Sequence, residues 1–203
     1  MKSGVAITRF YYNKYNNLIR TEYFNSLNQR TKNPEGISAI HTIYNKRQNI
    51  TGYEYLDEQN RYTNNSSGIS IQTWVLDELG HTLSHSYLDK NREPTIGPSG
   101  YHKIEYEWAD MGESSKVKRF DKDLSLIEDE YGTAIYEYTM RPSGLYAEVR
   151  RFNKQGQLAV NSLGVAITQY TPYLDGLYYL EKELDANGEM VNDTINKTVE
   201  EIQ

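Results

Sequence analysis

Gly132-Thr133-Ala134-Ile135 opens a stretch that runs through Tyr138 and Gly144 to Phe152-Asn153-Lys154-Gln155-Gly156. The pattern then restarts at Gly164-Val165-Ala166-Ile167, with Tyr170, Gly176 and Leu184-Asp185-Ala186-Asn187-Gly188 at the same offsets. Working outward, Gly4, Gly36, Gly68, Gly100, Gly132 and Gly164 stand 32 residues apart, so six units fill residues 4–195 without an insertion or deletion. Residues 1–3 form a short start and 196–203 a tail. A period between about 20 and 50 residues marks a repeat architecture, in which each unit is one supersecondary element.

Each column of the repeat has a physical reading. The residues after the Gly are small and apolar (Val5-Ala6-Ile7, Ile69-Ser70-Ile71), with Tyr101-His102-Lys103 the exception. Six past the Gly lie Phe10, Thr42, Trp74, Tyr106, Tyr138 and Tyr170. The twenty-first position is always apolar (Phe24, Leu56, Leu88, Phe120, Phe152, Leu184) and the next always Asn or Asp. Two turn signals therefore recur. One ends at Asn16, Gln48, Gly80, Gly112, Gly144 and Gly176; the other runs from the invariant Asx to a left-handed residue three later. An Asx side chain bonds the backbone two residues on, and Gly or Asn tolerates positive φ, which gives a type I turn joining antiparallel strands. Arg92 and Leu124 break that rule, and altered turns are expected there.

Between turns lie aromatic and β-branched runs, Ala6–Tyr12, Leu18–Phe24, Gln72–Leu76, Ile104–Trp108 and Ile135–Met140, which read as strands. A shorter third strand is expected near Leu126-Ile127 or Met190-Val191. The fold class is all-β: six antiparallel β-hairpin repeats forming an elongated twisted meander or β-solenoid, because every connection is short. A small six-bladed propeller is the alternative, although its blades usually need about 40–50 residues. In the tail, Thr198-x-x-Glu201 reads as a capping box, and Ile195, Val199 and Ile202 fall at helical spacing. The tail is thus a terminal helix over the last open edge, or a linker.

Composition narrows the function. Only 37% of residues are apolar, yet there are 19 Tyr against 4 Phe and 2 Trp. A thin sheet has little interior, and Tyr buries a ring while keeping its hydroxyl wet. These rings are either cross-strand packing or an exposed stripe for a ligand. One column holds Tyr23, Tyr55 and Tyr87 and then Arg119, Arg151 and Glu183; a position that accepts Arg and Glu reads as partly exposed. Tyr23, Tyr55, Tyr87, Trp74 and Trp108 are therefore the candidate ligand-binding residues.

Net charge is −6 with no basic stripe, which disfavours a nucleic-acid partner. No apolar run is long enough to insert a helix in a membrane. No cysteine is present, so disulfides and thiolate chemistry are out. Met1-Lys2-Ser3 shows no secretory leader, and the sequons Asn49-Ile50-Thr51 and Asn64-Asn65-Ser66 place the chain nowhere by themselves.

No catalytic or nucleotide motif is present, and an enzyme is not expected. His81 and His85 would share a helix face, but in a strand they lie about 13 Å apart, beyond one metal ion. All four histidines read as surface residues, and neither a metal nor a cofactor is expected. Asp185-Ala186-Asn187-Gly188-Glu189 lacks the distal Glu of a calcium loop and reads as a turn.

The pattern Gly-Val-Ala-Ile…Tyr…Asx-x-x-Gly…Phe/Leu-Asx-x-x-Gly resembles bacterial tandem hairpin repeats and, more remotely, YD (RHS-type) repeats. It departs from them at Asn16 and Gln48, and its first strands carry no Tyr-Asp dipeptide. The resemblance implies a surface-associated β-scaffold, at the cell surface or secreted rather than cytoplasmic, with carbohydrate or protein contacts and no catalytic residues. Two functions stay open. One is a binding module that recognises a glycan or an extended protein on its Tyr-rich face. The other is a structural spacer or interaction segment, with buried rings and an open strand edge able to pair with a partner or with itself.

Overall fold

A computed structural model describes residues 4–109, 114–141, 143, 145–173 and 178–197. It contains thirteen strands: β1 Ile7–Tyr12, β2 Leu18–Phe24, β3 Ala39–Tyr44, β4 Ile50–Leu56, β5 Ile71–Leu76, β6 Thr82–Leu88 and β7 Lys103–Trp108. The series continues with β8 Ser114–Phe120, β9 Ile135–Met140, β10 Tyr146–Phe152, β11 Ile167–Tyr173, β12 Tyr178–Leu184 and β13 Met190–Lys197. They form one antiparallel sheet in strict chain order, and β1 and β13 are not joined. That order is the expected meander; separate four-stranded propeller blades do not form. Among the described residues there is no helix, and so none long and apolar enough to cross a membrane.

The chain divides into two compact units, one up to Ile104 together with Phe120–Ser125, the other Glu105–Arg119 together with the chain from Leu126 on.

Turn chemistry builds the strands. Asn13 shows the pattern: its carbonyl accepts from Asn16 N at 3.0 Å, and its side-chain Oδ1 accepts from Tyr15 N and Asn17 N at 2.9 and 3.0 Å. Asn16 is left-handed, at φ 63°. The register slips by one residue just before this turn, between Tyr11 and Tyr12, and again at Ile43/Tyr44 and Val75/Leu76. A type I turn ended by a left-handed residue makes this bulge, which matches the strand twist.

The first three repeats each have three turns where the sequence reading has two. The third closes on the opening Gly of the next unit: Gly36 N to Asn33 O and Gly132 N to Asp129 O at 3.0 Å, and Gly164 N to Asn161 O at 2.9 Å. This turn cuts short the expected third strand. After the second turn the chain makes one bridge, as at Phe24↔Arg30 and Leu56↔Tyr62, and then bends away. Only in the sixth unit does it run on, as β13. There Thr194-Ile195, with a β-branched pair, stands where earlier units have turn residues such as Pro34-Glu35 and Ser66-Ser67. Ile195 therefore lies in a strand and not on a helix; residues 198–203 fall outside those described.

Arg92 and Leu124 do not reshape their turns. They adopt φ 68° and 64°, and their N–H groups close onto Asp89 and Asp121 at 2.9 and 3.0 Å. What differs at Leu124 is the side-chain clamp. Ser125 N donates to Asp123 Oδ1, whereas in the third unit Glu93 N donates to Asp89 Oδ1.

Candidate functional site

In the compact unit up to Ile104, register and strand alternation place Tyr53, Tyr55, Gln72, Trp74, His85 and Tyr87 on one face. The opposite face carries Glu22, His41, Glu54, Thr73 and Ser86. One side is aromatic; the other carries these polar groups together with the buried Ala39, Leu56 and Ile71.

On the aromatic side the rings are spent on each other. Trp74 stacks flat on His85, centroids 4.6 Å apart at 5°, and meets the edge of Tyr53 at 5.5 Å. His85 meets Tyr87 edge-on at 4.4 Å. Tyr55 and Tyr87 are only 9% and 7% exposed and form a core with Ile37 and Ile69. The Tyr55 hydroxyl accepts from the Gln72 amide at 2.7 Å. Burial, helped by the Glu35 charge and by Tyr53, pushes the Tyr55 phenol up to about 12. Burial also lowers the His85 pKa, and its Nε2 is buried with no partner.

The expectation of a partly exposed tyrosine column is therefore corrected at Tyr55 and Tyr87; Tyr23 is half-buried. The cause lies in the backbone. The first five column residues donate their N–H to the start of the next repeat: Tyr23 to Ser38 O, Tyr55 to Ser70 O, Tyr87 to His102 O, Arg119 to Ala134 O and Arg151 to Ala166 O, at 2.8–3.2 Å. Their carbonyls accept from the connector eight residues on, as Tyr87 O does from Thr95 N at 3.1 Å, while Glu183 pairs with β13. The connector thus roofs the column. A Cβ added at Gly97 would fall 2.3 Å from the Tyr87 ring.

In the other compact unit the roof over Arg119 is polar. Asp129 lies ten residues past Arg119, as Gly97 does past Tyr87, and Arg119 Nη1 approaches Asp129 Oδ2 at 3.3 Å. The Arg119 guanidinium also lies 4.9 Å over the Tyr136 ring, whose hydroxyl donates to Asp129 Oδ2 at 2.8 Å. Arg151 donates to Thr168 Oγ1 at 2.9 Å. The charge is accepted because it is paired, not because the site is open.

Of the remaining candidates, Trp74 and Trp108 are half-buried, and Trp108 sits 6.1 Å from Tyr106 in a separate ring pair. Trp74 joins the Tyr53–His85–Tyr87 cluster of the compact unit up to Ile104. The histidines also need correction: His102 is buried and His85 half-buried. The exposed rings are elsewhere. Phe10 and Tyr12 on β1 are both 54% exposed, and Tyr15 in the first turn 57%.

The polar face is built of satisfied pairs. Glu22 receives Arg20, Arg30 and the Tyr11 hydroxyl, each at 2.8 Å. Burial opposes its carboxylate, but the Tyr11 and Arg20 hydrogen bonds and the Arg charges outweigh it and hold its pKa below the usual range. Glu54 takes His41 Nδ1 at 3.0 Å and the Tyr62 hydroxyl at 2.9 Å. Among the described residues no three His, Asp or Glu side chains gather as a metal site would require.

No family model matches this sequence. No curated protein matches it either. Among solved structures it is similar to the Photorhabdus luminescens Tc holotoxin pore carrying a TccC3 mutation, with 13% identity and a TM-score of 0.39 over 95% of this chain. It is also similar to the crystal structure of TcdB2–TccC3–TEV, with 11% identity and a TM-score of 0.32 over 96% of this chain. The match spans 12% and 11% of those two chains respectively.

Proposed function

We propose that this chain is a non-catalytic β-hairpin repeat scaffold that works by joining another polypeptide, with its aromatic rings serving its own sheet. The observation that supports this reading is the burial of Tyr55 and Tyr87 in one core with Ile37 and Ile69. A ring roofed by its own connector has no free face for a sugar, whereas carbohydrate and small-ligand sites need exposed or concave apolar walls. A scaffold without a ligand needs buried rings, and Tyr55 and Tyr87 supply them.

A carbohydrate reading keeps one foothold, the exposed Phe10, Tyr12 and Tyr15 of the first hairpin. The test is to pass the whole chain over a glycan array and insoluble polysaccharides. The scaffold reading expects no retention. Retention that a folded Phe10→Ala/Tyr12→Ala/Tyr15→Ala variant loses would replace it with sugar recognition on that hairpin.

A further inference from the structure

His85 lies inside the aromatic face, and its imidazole serves there as a flat ring. It stacks on Trp74, its register partner across β5 and β6, and meets Tyr87 at 4.4 Å and 64°. Packing alone does not call for an imidazole here. The same repeat position is held by Thr21, Tyr53, Val117, Val149 and Glu181, and the valines at this position are 8% and 7% exposed. His85 differs from all of these in titrating close to neutrality.

Among the described residues of this compact unit, no carboxylate faces the imidazole from β4, β5 or β6. Strand alternation supplies Tyr53 and Tyr55 from β4, Gln72 and Trp74 from β5, and Leu83 and Tyr87 along β6 itself. Tyr87 donates its N–H to His102 O as Tyr55 does to Ser70 O, so on β7 Ile104 takes the place of Gln72, and Lys103 alternates to the other face. Ile104 is 6% exposed. The titratable neighbours are therefore the phenols of Tyr53, Tyr55, Tyr87 and Tyr101, and His102, whose Nδ1 lies 3.3 Å from the Thr95 carbonyl. The carboxylate whose field reaches this group is that of Glu35, at Tyr55.

His85 Nε2 is buried and has no hydrogen-bond partner. In the cation both ring nitrogens carry a proton, and Nε2–H becomes a charged, buried donor without an acceptor. Trp74 offers the cation a π face, but a flat stack places no acceptor in the plane of the imidazole. Burial holds the His85 pKa below its ordinary 6.5.

We propose that His85 is an acid-sensitive latch on the aromatic face: its neutral ring holds Trp74 and Tyr87 together, and on protonation it leaves the stack and frees both rings. Tyr87 shares a core with Tyr55, Ile37 and Ile69, so release at His85 loosens the packing beneath the Gly97 roof. The closed face binds the proton less readily than the open one. Its stabilisation is full above 6.5 and is lost as pH falls from 6.5 through the lowered value of the closed state. Within that window opening becomes up to about tenfold easier for each unit fall in pH. The latch is independent of what the scaffold joins.

The test follows Trp74 emission in the whole chain carrying Trp108→Phe, so that a single indole reports, from about pH 8 down to about pH 5. A reversible change centred below 6.5 is expected, and it should vanish when His85→Phe or His85→Gln is added. Protonation of His41, His81 or His102 would persist in both chains. His85→Phe keeps a ring in the stack, His85→Gln serves if Phe does not fit, and circular dichroism checks each fold. The unsubstituted chain gives a second readout: the His85 ring signals, assigned by NMR through their contact with the Trp74 indole, should titrate with the same midpoint. Emission that ignores pH, a change that survives either substitution, or His85 titrating at or above 6.5 would overturn the proposal.

Discussion

Tyr87 and Arg119 hold the same place in successive repeats, and each is covered by its own connector. Over Tyr87 the roof is Gly97, whose missing side chain leaves room for the ring. Over Arg119 it is Asp129, whose carboxylate neutralises the guanidinium. The compact unit up to Ile104 thus packs its column rings Tyr55 and Tyr87 against the branched chains Ile37 and Ile69. The other compact unit fills its interior with smaller groups, Thr133, Ala134, Val165 and Ala166, beside paired charge. One backbone carries both solutions because the main-chain bonds of the column are the same in each. At Tyr87 and Arg119 the roof residue differs with the side chain, whereas Asn stands ten residues past both Tyr55 and Arg151, as Asn65 and Asn161.

Truncation should break the two solutions unequally. Tyr87→Ala empties a buried ring site and is expected to cost about 3–5 kcal/mol in denaturant unfolding. Arg119→Ala removes the ion pair of Asp129 but leaves its Tyr136 hydrogen bond, and the pair is partly solvated, so the expected loss is about 1–2 kcal/mol. Equal losses would contradict the contrast. The roof can be attacked directly: Gly97→Ala drives a methyl into the Tyr87 ring, at about 1–3 kcal/mol. Much of that cost should disappear when Gly97→Ala is made on a Tyr87→Ala chain, and a double-mutant cycle measures the coupling.

Alkali sharpens the comparison next. Burial pushes the Tyr55 phenol up to about 12 from its ordinary 10.0, so the folded chain holds a proton that the unfolded chain releases. Its contribution is fully present below pH 10 and is lost as pH rises through 12, amounting to about 1–2 kcal/mol. Tyr55→Phe should flatten that part of the stability–pH curve, while Arg119→Ala should leave it unchanged. The smallest effect is at Leu124, where Leu124→Gly removes the left-handed strain and is expected to stabilise by about 0.5 kcal/mol, read as a small rise in Tm. A loss of stability would mean that the Leu side chain packs usefully despite its 59% exposure.

The repeat, the hairpins and the left-handed turn residues were legible in the sequence because each depends on local chemistry, an Asx acceptor and a residue tolerant of positive φ. The third turn was equally present, as Asn33, Asn65, Asp129 and Asn161 three residues before a Gly, but there the Gly had been read only as the start of a unit. The column misled for a different reason. Arg119 and Arg151 suggest solvent only while the partner is unknown, and Asp129 and Thr168 lie 10 and 17 residues further along. Sequence alone shows neither that a connector folds back over the column nor that Trp74 lies flat on His85.

A ring and its lid encoded ten residues apart in one repeat are inherited together. Duplicating or deleting 32 residues moves both, so an array of this kind can change its number of units by recombination without leaving a column position uncovered. Drift in one half of the pair, in contrast, is penalised until the other half follows. At Tyr87 the penalty is steric, because any side chain at Gly97 meets the ring, whereas Asn65 past Tyr55 and Asn161 past Arg151 show a roof residue that serves either column side chain.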